Sequence, residues 1–391
     1  MRSGTNSLRR VPAVLLVAVL LAAGIAVPAR AAYSDVPADH WAAEAIRVVA
    51  EEQDWMRLEG ELFRPADVLL RRELARGIVR AFAPDHQPDP GTTFSDLPVD
   101  DPDFPYANIA VKLGWMVAPN GVFAPEVAVS KRVAARALVY ALGLQREVSS
   151  LNAIKMTNGT RFARLSDFGV LVVAGQLRLF YNHPTPNEAP ELLPQTALRR
   201  ADAAYSLYRA SAARGTWLIP WVQRYRGITL PVMTPTASSA LEFGFRYAGY
   251  PYIYAGEWYR KTSKSFCCGA QPQGGFDCSG FTWWVARAPV SGWDNSAVRP
   301  YPGWGLPERS SRAMAKATTK RIAYEAVAPL DLVFFDTDGR GVDADAVDHV
   351  GIALGNGWML HSSGSRGGVT IEWIGDGWWR ARYLWARRVA A

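Results

Sequence analysis

Three side chains in the C-terminal part of this sequence have the types and spacing needed for acyl transfer. Cys278 lies in Phe276-Asp277-Cys278-Ser279-Gly280-Phe281, and the stretch after it, Thr282-Trp283-Trp284-Val285-Ala286-Arg287, suits a helix. A cysteine where a helix begins sits beside unpaired N–H groups and the positive end of the dipole, which favour the reactive thiolate. Asp348-His349-Val350-Gly351-Ile352-Ala353-Leu354 reads as a strand, and Trp358-Met359-Leu360-His361 as a second. Between them Asn356-Gly357 is a hairpin-turn dipeptide. Such a hairpin makes His349 and His361 neighbours, so the three residues offer a nucleophile, a base and a group to orient it. One Cys and two His also suggest zinc, but Cys-x-x-Cys and His-x-x-x-His spacings are absent, so neither metal nor cofactor is expected.

Cys267, Cys268 and Cys278 are the only cysteines, crowded into twelve residues, which is the wrong pattern for a disulfide scaffold. Under oxidation three outcomes are open: Cys267 pairs with Cys268, either pairs with Cys278, or all stay reduced. The apolar run Leu330–Phe335 supplies a further strand, and Thr236–Ala248, after Pro235, a helix. Five acids between Asp336 and Asp348 read as a solvated loop, and Trp378 and Trp379 as packing groups or platforms for sugar rings.

Residues 236–391 resemble the NlpC family of cell-wall cysteine peptidases, a circularly permuted papain-like α+β fold with an antiparallel sheet. The resemblance rests on Pro251-Tyr252-Ile253-Tyr254-Ala255-Gly256, the segment around Cys278, Leu306-Pro307 with Arg309-Ser310-Ser311, and His349 followed by His361. Ala255 and Leu330 stand where the family pattern has glycine. The resemblance implies hydrolysis of D-glutamyl–diaminopimelate bonds in peptidoglycan stem peptides. Cys278 would be the nucleophile, His349 the base and His361 its orienter, with Tyr252, Asp277, Ser279 and Arg309 around the substrate and the oxyanion. Rival readings are a dead wall-bound structural protein, or an amidase or acyltransferase of the papain-like superfamily.

The first half carries a weak repeat. Tyr33-Ser34-Asp35-Val36, a helical stretch to Ala50, Phe63-Arg64-Pro65 and Leu70-Arg71-Arg72-Glu73 are echoed by Phe94-Ser95-Asp96-Leu97, a helix to Gly114, Phe123-Ala124-Pro125 and Ser130-Lys131. A damaged third copy ends in Leu198-Arg199-Arg200-Ala201-Asp202. Each copy reads as helix, proline turn, helix, with Ser or Asp capping the first helix. These units resemble S-layer homology modules, here at 32–88, 89–147 and 148–211, an all-α set of three helical hairpins. The resemblance implies binding of a secondary cell-wall polymer, and Arg71, Lys131 and Arg200 at helix starts are the candidate contacts. Residues 212–235 read as a linker.

Residues 1–31 carry Arg9 and Arg10, the apolar run Val11–Val27 and Ala29-Arg30-Ala31, the pattern of a secretory signal. Their loss takes four arginines from a net charge of +7 and leaves +3, too little to argue for nucleic acid. The expected product is exported, free of the membrane and held at a bacterial cell wall.

Overall fold

A computed structural model describes residues 33–162, 166–183, 190–263, 267–286 and 306–389. The expected secretory signal lies outside the described residues. In chain order the first half comprises α1 (Ala43–Ile46, continued by a π-helical turn, Arg47–Glu52), α2 (Arg71–Phe82), α3 (Phe104–Lys112), α4 (Lys131–Ala141), α5 (Gln145–Asn152), β1 (Lys155–Met156), α6 (Phe168–Gln176) and α7 (Arg200–Ala213).

Three helical pairs, α1/α2, α3/α4 and α6/α7, close on each other through the short segments before α2, α4 and α7. Leu69 N–H donates to Leu198 O, Leu198 N–H to Val129 O, and Val129 N–H to Leu69 O, a ring of three hydrogen bonds of 2.8–2.9 Å. The helix starts are satisfied across the same junctions. Arg71 and Arg72 amides donate to Val127 O and Pro125 O, those of Lys131 and Arg132 to Thr196 O and Pro194 O, and those of Arg200 and Ala201 to Asp67 O and Pro65 O. The amides that would otherwise favour an anion are therefore occupied by protein carbonyls.

The acids of the repeat act differently from expectation. Asp35 and Asp96 cap no helix; their carboxylates accept from Phe63 and Arg64 amides and from Phe123 and Ala124 amides. Arg64 and Ala124 have φ of 58° and 57°. The acids thus hold a left-handed turn in place, because the exposed amides of such a turn need acceptors more than the first helix does.

The second half continues with α8 (Leu218–Gln223), β2 (Thr229–Leu230), α9 (Pro235–Phe245), β3 (Glu257–Trp258), β4 (Gly275–Phe276), α10 (Cys278–Ala286), α11 (Ser311–Lys316), β5 (Leu332–Phe335), β6 (His349–Gly355), β7 (Trp358–Ser363), β8 (Gly368–Trp373), α12 (Gly377–Arg382) and β9 (Tyr383–Arg387). The last five strands form one antiparallel sheet in the order β8-β7-β6-β5-β9. This is a mixed α+β unit, with α10 packed on the sheet face that carries Val350, Ile352 and Leu360.

The segment expected to be a linker is folded into both halves. β2 pairs with β1 in parallel, Tyr225 is buried and stacks on Trp358 at 5.0 Å, and its hydroxyl donates to Ile371 O at 2.6 Å. Its apolar residues find partners on both sides, and Pro and Gly content alone did not reveal that. A continuous core joins the two halves.

Candidate active site

The β6–β7 hairpin turns through Asn356 and Gly357, with φ of 50° and 78°, a two-residue turn of the type their residue identities favour. On β6 and β7, His349 and His361 share a face, and His349 Nε2 lies 2.8 Å from His361 Nδ1. Both rings are buried, 9% and 0% exposed. Their indole neighbour Trp379, on α12, packs 5.1 Å from the His349 ring and 5.3 Å from the His361 ring.

Cys278 opens α10 at the edge of this pair. Its Sγ lies 3.9 Å from Asp348 O, the carbonyl next to His349, and the Val350 amide points at the sulfur. With Nε2 of His349 turned to His361, Nδ1 is the ring nitrogen left for Cys278. The loop 251–256 fixes the helix start: Asp277 N–H donates to Gly256 O at 2.9 Å, and Phe276 N–H to Pro251 O at 3.1 Å. A Cβ on Gly280 would lie 2.0 Å from Gly256 O, so only glycine permits this approach.

Asp277, Ser279 and Arg309 are tied to one another at this start. Asp277 Oδ1 accepts from Ser279 Oγ at 3.0 Å and from the Gly280 amide, as an N-cap does. Arg309 donates to Asp277 Oδ1 at 3.3 Å, Ser279 Oγ at 2.9 Å, Gly256 O at 3.2 Å and the buried Glu257. Tyr252 is half-buried beside the thiol, and burial with the neighbouring Cys278 and Asp277 raises its pKa.

The electrostatics differ from the expected thiolate. Burial, reinforced by the Asp277 carboxylate, pushes the Cys278 thiol up to about 12, against the opposing pull of the Val350 and Ser279 amides and Arg309. Burial pushes His349 down to about 4, and His361 well below its ordinary range. The free site therefore rests as a thiol beside a neutral imidazole. Desolvation outweighs the helix dipole here, because the helix start is covered by the sheet and the 251–256 loop.

Of the expected site residues, Cys278, His349, His361, Tyr252, Asp277, Ser279 and Arg309 converge in the second half. Arg71, Lys131 and Arg200 instead occupy the three junctions of the first half. Arg71 donates to Phe123 O and Val117 O, Arg200 to Phe63 O and Arg57 O, and Lys131 to Leu192 O and Gly249 O. Cys267 and Cys268 form a disulfide with each other, and Cys278 is free. The acids of the 336–348 loop accept from its own backbone: Asp348 from Thr337 and Asp338 amides, Asp336 from the Gly341 amide. No cluster able to hold a metal ion is present among the described residues. The sequence reading missed Trp379 over the imidazoles and Glu372 behind His361. An acid inside the apolar strand Gly368–Trp373 was the available signal for Glu372.

Residues 249–388 match the model of the NlpC/P60 family. The chain is 30% identical over 121 residues to murein DD-endopeptidase MepH of Escherichia coli (strain K12), covering 31% of this chain and 39% of that protein. It is 32% identical over 143 residues to the bifunctional muramidase/DL-endopeptidase CwlT of Bacillus subtilis (strain 168), covering 36% and 33%. A solved NlpC/P60 family protein from Bacillus cereus ATCC 10987 aligns at 28% identity over 41% of this chain and 42% of that one, with a TM-score of 0.30. This chain thus spans 33–39% of the length of these two curated relatives.

Proposed function

We propose, on the premise that residues 249–388 form an NlpC/P60 domain, that this protein is a cysteine endopeptidase of peptidoglycan stem peptides acting through Cys278, His349 and His361. The observation that carries the proposal is the 2.8 Å contact between His349 and His361 next to a free cysteine at a helix start. A dead structural protein would have no need of three such groups, two of them histidines buried at a desolvation cost. The relatives named for endopeptidase activity favour a peptidase over an amidase or acyltransferase.

In this mechanism the substrate carbonyl settles against Cys278, the thiol proton passes to His349 Nδ1, and the sulfur–carbon bond forms. The oxyanion is met by the Cys278 amide, which as a first-turn N–H has no helical partner, and by the Tyr252 hydroxyl. Collapse releases the amine with the proton from His349, and water activated by the same ring cleaves the thioester. The bond we assign is D-glutamyl–diaminopimelate. Digestion of purified muropeptides followed by mass spectrometry tests this. The wild type should leave fragments ending in D-glutamate and free diaminopimelyl amines, and Cys278→Ala should leave none. Cuts elsewhere in the stem would reassign the bond, and turnover by Cys278→Ala would remove the nucleophile.

A second reading concerns the first half. Its ring of three helical pairs supports an S-layer homology role, holding the exported enzyme at a secondary wall polymer, with Arg71, Lys131 and Arg200 bracing the junctions rather than contacting the polymer. A cavity of about 300 Å³ beside the Arg200 junction is lined by Arg57, Arg72, Arg76 and Arg200 together with Glu59, Glu73 and Asp103, a mixed-charge space open to a polar ligand. Full-length protein should sediment with purified walls and be released when that polymer is stripped. Unchanged binding to stripped peptidoglycan would end this reading.

A further inference from the structure

Behind His361 lies a group that the triad does not include. Strand β8 places Glu372 on the same sheet face, fully buried, with Oε2 3.9 Å from His361 Nε2. That nitrogen is buried without a hydrogen-bond partner, and the Glu372 carboxylate is the anion aimed at it. Arg366 holds the carboxylate through Nε at 2.8 Å and Nη2 at 3.2 Å. The remaining donor comes from the first half of the molecule. Gln176, at the end of α6 and fully buried, donates from Nε2 to Glu372 Oε2 at 3.2 Å and to Ile371 O at 3.0 Å. Its own amide is held in one orientation by Trp221 Nε1, which donates to Oε1 at 3.1 Å.

The tautomers give this chain a purpose. His349 Nδ1 can take the Cys278 proton only if the His349 proton sits on Nε2, where it donates to His361 Nδ1. His361 must then carry its own proton on Nε2, the buried nitrogen facing Glu372. The opposite tautomer of His361 would donate from Nδ1 to His349 Nε2, leave a proton on His349 Nδ1 and remove the base. A carboxylate near Nε2 favours the productive tautomer, and it stabilises the imidazolium that forms when His349 accepts the thiol proton.

We propose that Glu372 is a positioning residue of the catalytic chain, selecting the Nε2-protonated form of His361, and that Gln176 extends this chain into the N-terminal half. The inference rests on the cysteine peptidase reading, with Cys278, His349 and His361 in their proposed roles. The charged and titratable groups facing Glu372 and His361 are His349 on β6, Arg366 before β8, Arg178 after α6 and Tyr225 after α8.

Two readouts on the full chain test it. The sequence has five histidines, so 15N labelling of histidine resolves the tautomer of each ring. In the wild type at neutral pH, His361 should carry its proton on Nε2 and His349 should have a bare Nδ1. In Glu372→Gln the Nδ1-protonated form of His361 should grow. Its kcat on muropeptides should fall about tenfold or more, with KM within about twofold and the acid limb of the pH profile moved lower. Glu372→Asp should recover part of the loss, and Gln176→Leu should shift the same quantities by less.

Because Glu372→Gln leaves Arg366 buried without its anion, the double variant Glu372→Gln, Arg366→Gln supplies the tautomer reading in a charge-matched interior. A wild-type His361 protonated on Nδ1 would overturn the proposal, as would a tautomer, kcat and pH profile unchanged in the Glu372 variants. The tautomer reading needs no turnover. An enzyme inactive on muropeptides with the stated tautomers would count against the peptidase reading and leave the role of Glu372 standing.

Discussion

Cys278, His349 and His361 were legible because each sits in a local pattern: a cysteine before a helical stretch, and two histidines on either side of an Asn-Gly turn. Their protonation was not legible. The helix dipole at Cys278 depends only on neighbours in sequence, whereas the desolvation that pushes Cys278 up and the histidines down comes from distant segments. Trp379 is the clearest case, since it reaches both imidazoles from an element 18 residues beyond His361. Removing that indole should let water reach the rings. Trp379→Ala should therefore move the acid limb of kcat/KM upward, from near the depressed His349 value of about 4 towards the ordinary histidine value of 6.5. An acid limb unchanged in that variant would show that the loop and sheet alone keep the ring dry.

Among the elements, the 251–256 loop and the start of α10 carry the most specific geometry. Ala255 and Leu330 replace glycines of the family pattern, and both backbones adopt left-handed φ, 60° and 70°. Each thus holds a side chain in a strained conformation. Ala255→Gly should therefore raise unfolding stability by about 1 kcal/mol, read in urea, with activity retained. Gly280→Ala should do the reverse: its new Cβ would collide with Gly256 O and with the Arg309 guanidinium, 2.6 Å away. The helix start must then shift, and on the proposed mechanism a displacement of about 1 Å at Cys278 costs about a hundredfold in kcat. Wild-type turnover in Gly280→Ala would mean that the loop moves without moving Cys278. The strands β5, β6 and β7 were readable from apolar runs and the hairpin turn. The caps of the repeat were misread, since the backbone amides that donate to Asp35 and Asp96 lie 27–29 residues away in sequence.

At the scale of the molecule, the expected separation into anchor, linker and enzyme gives way to one packed body. Lys131 Nζ donates to Gly249 O at 3.1 Å, and Gln176 and Tyr225 both donate to Ile371 O on the edge strand β8. Gln176 of the first half, Tyr225 and the backbone of Gly249 and Tyr250 thus cover the β8 edge together, which composition and periodicity give no means of seeing. His349 and His361 give this body a defined response to acid. Both are held neutral when folded, with His349 near 4 against 6.5 unfolded, so the unfolded chain binds more protons between those values. Stability should be complete above about pH 6.5 and fall as pH drops towards 4, and unfolding should remain a single transition across both halves. Replacing His361 with Gln should flatten that slope, and an unaltered slope would place the acid response elsewhere.

The central claim is that Cys278 attacks a stem-peptide carbonyl and carries the acyl group. Acid quenching of the full-length enzyme during turnover of muropeptides, followed by peptide mapping, reads this directly. The account predicts a thioester mass increment on the peptide containing Cys278, absent from Cys278→Ala and lost from the wild type when substrate is exhausted. Product formation with an unmodified Cys278 under conditions that trap thioesters, or an acyl group found on another residue, would contradict it.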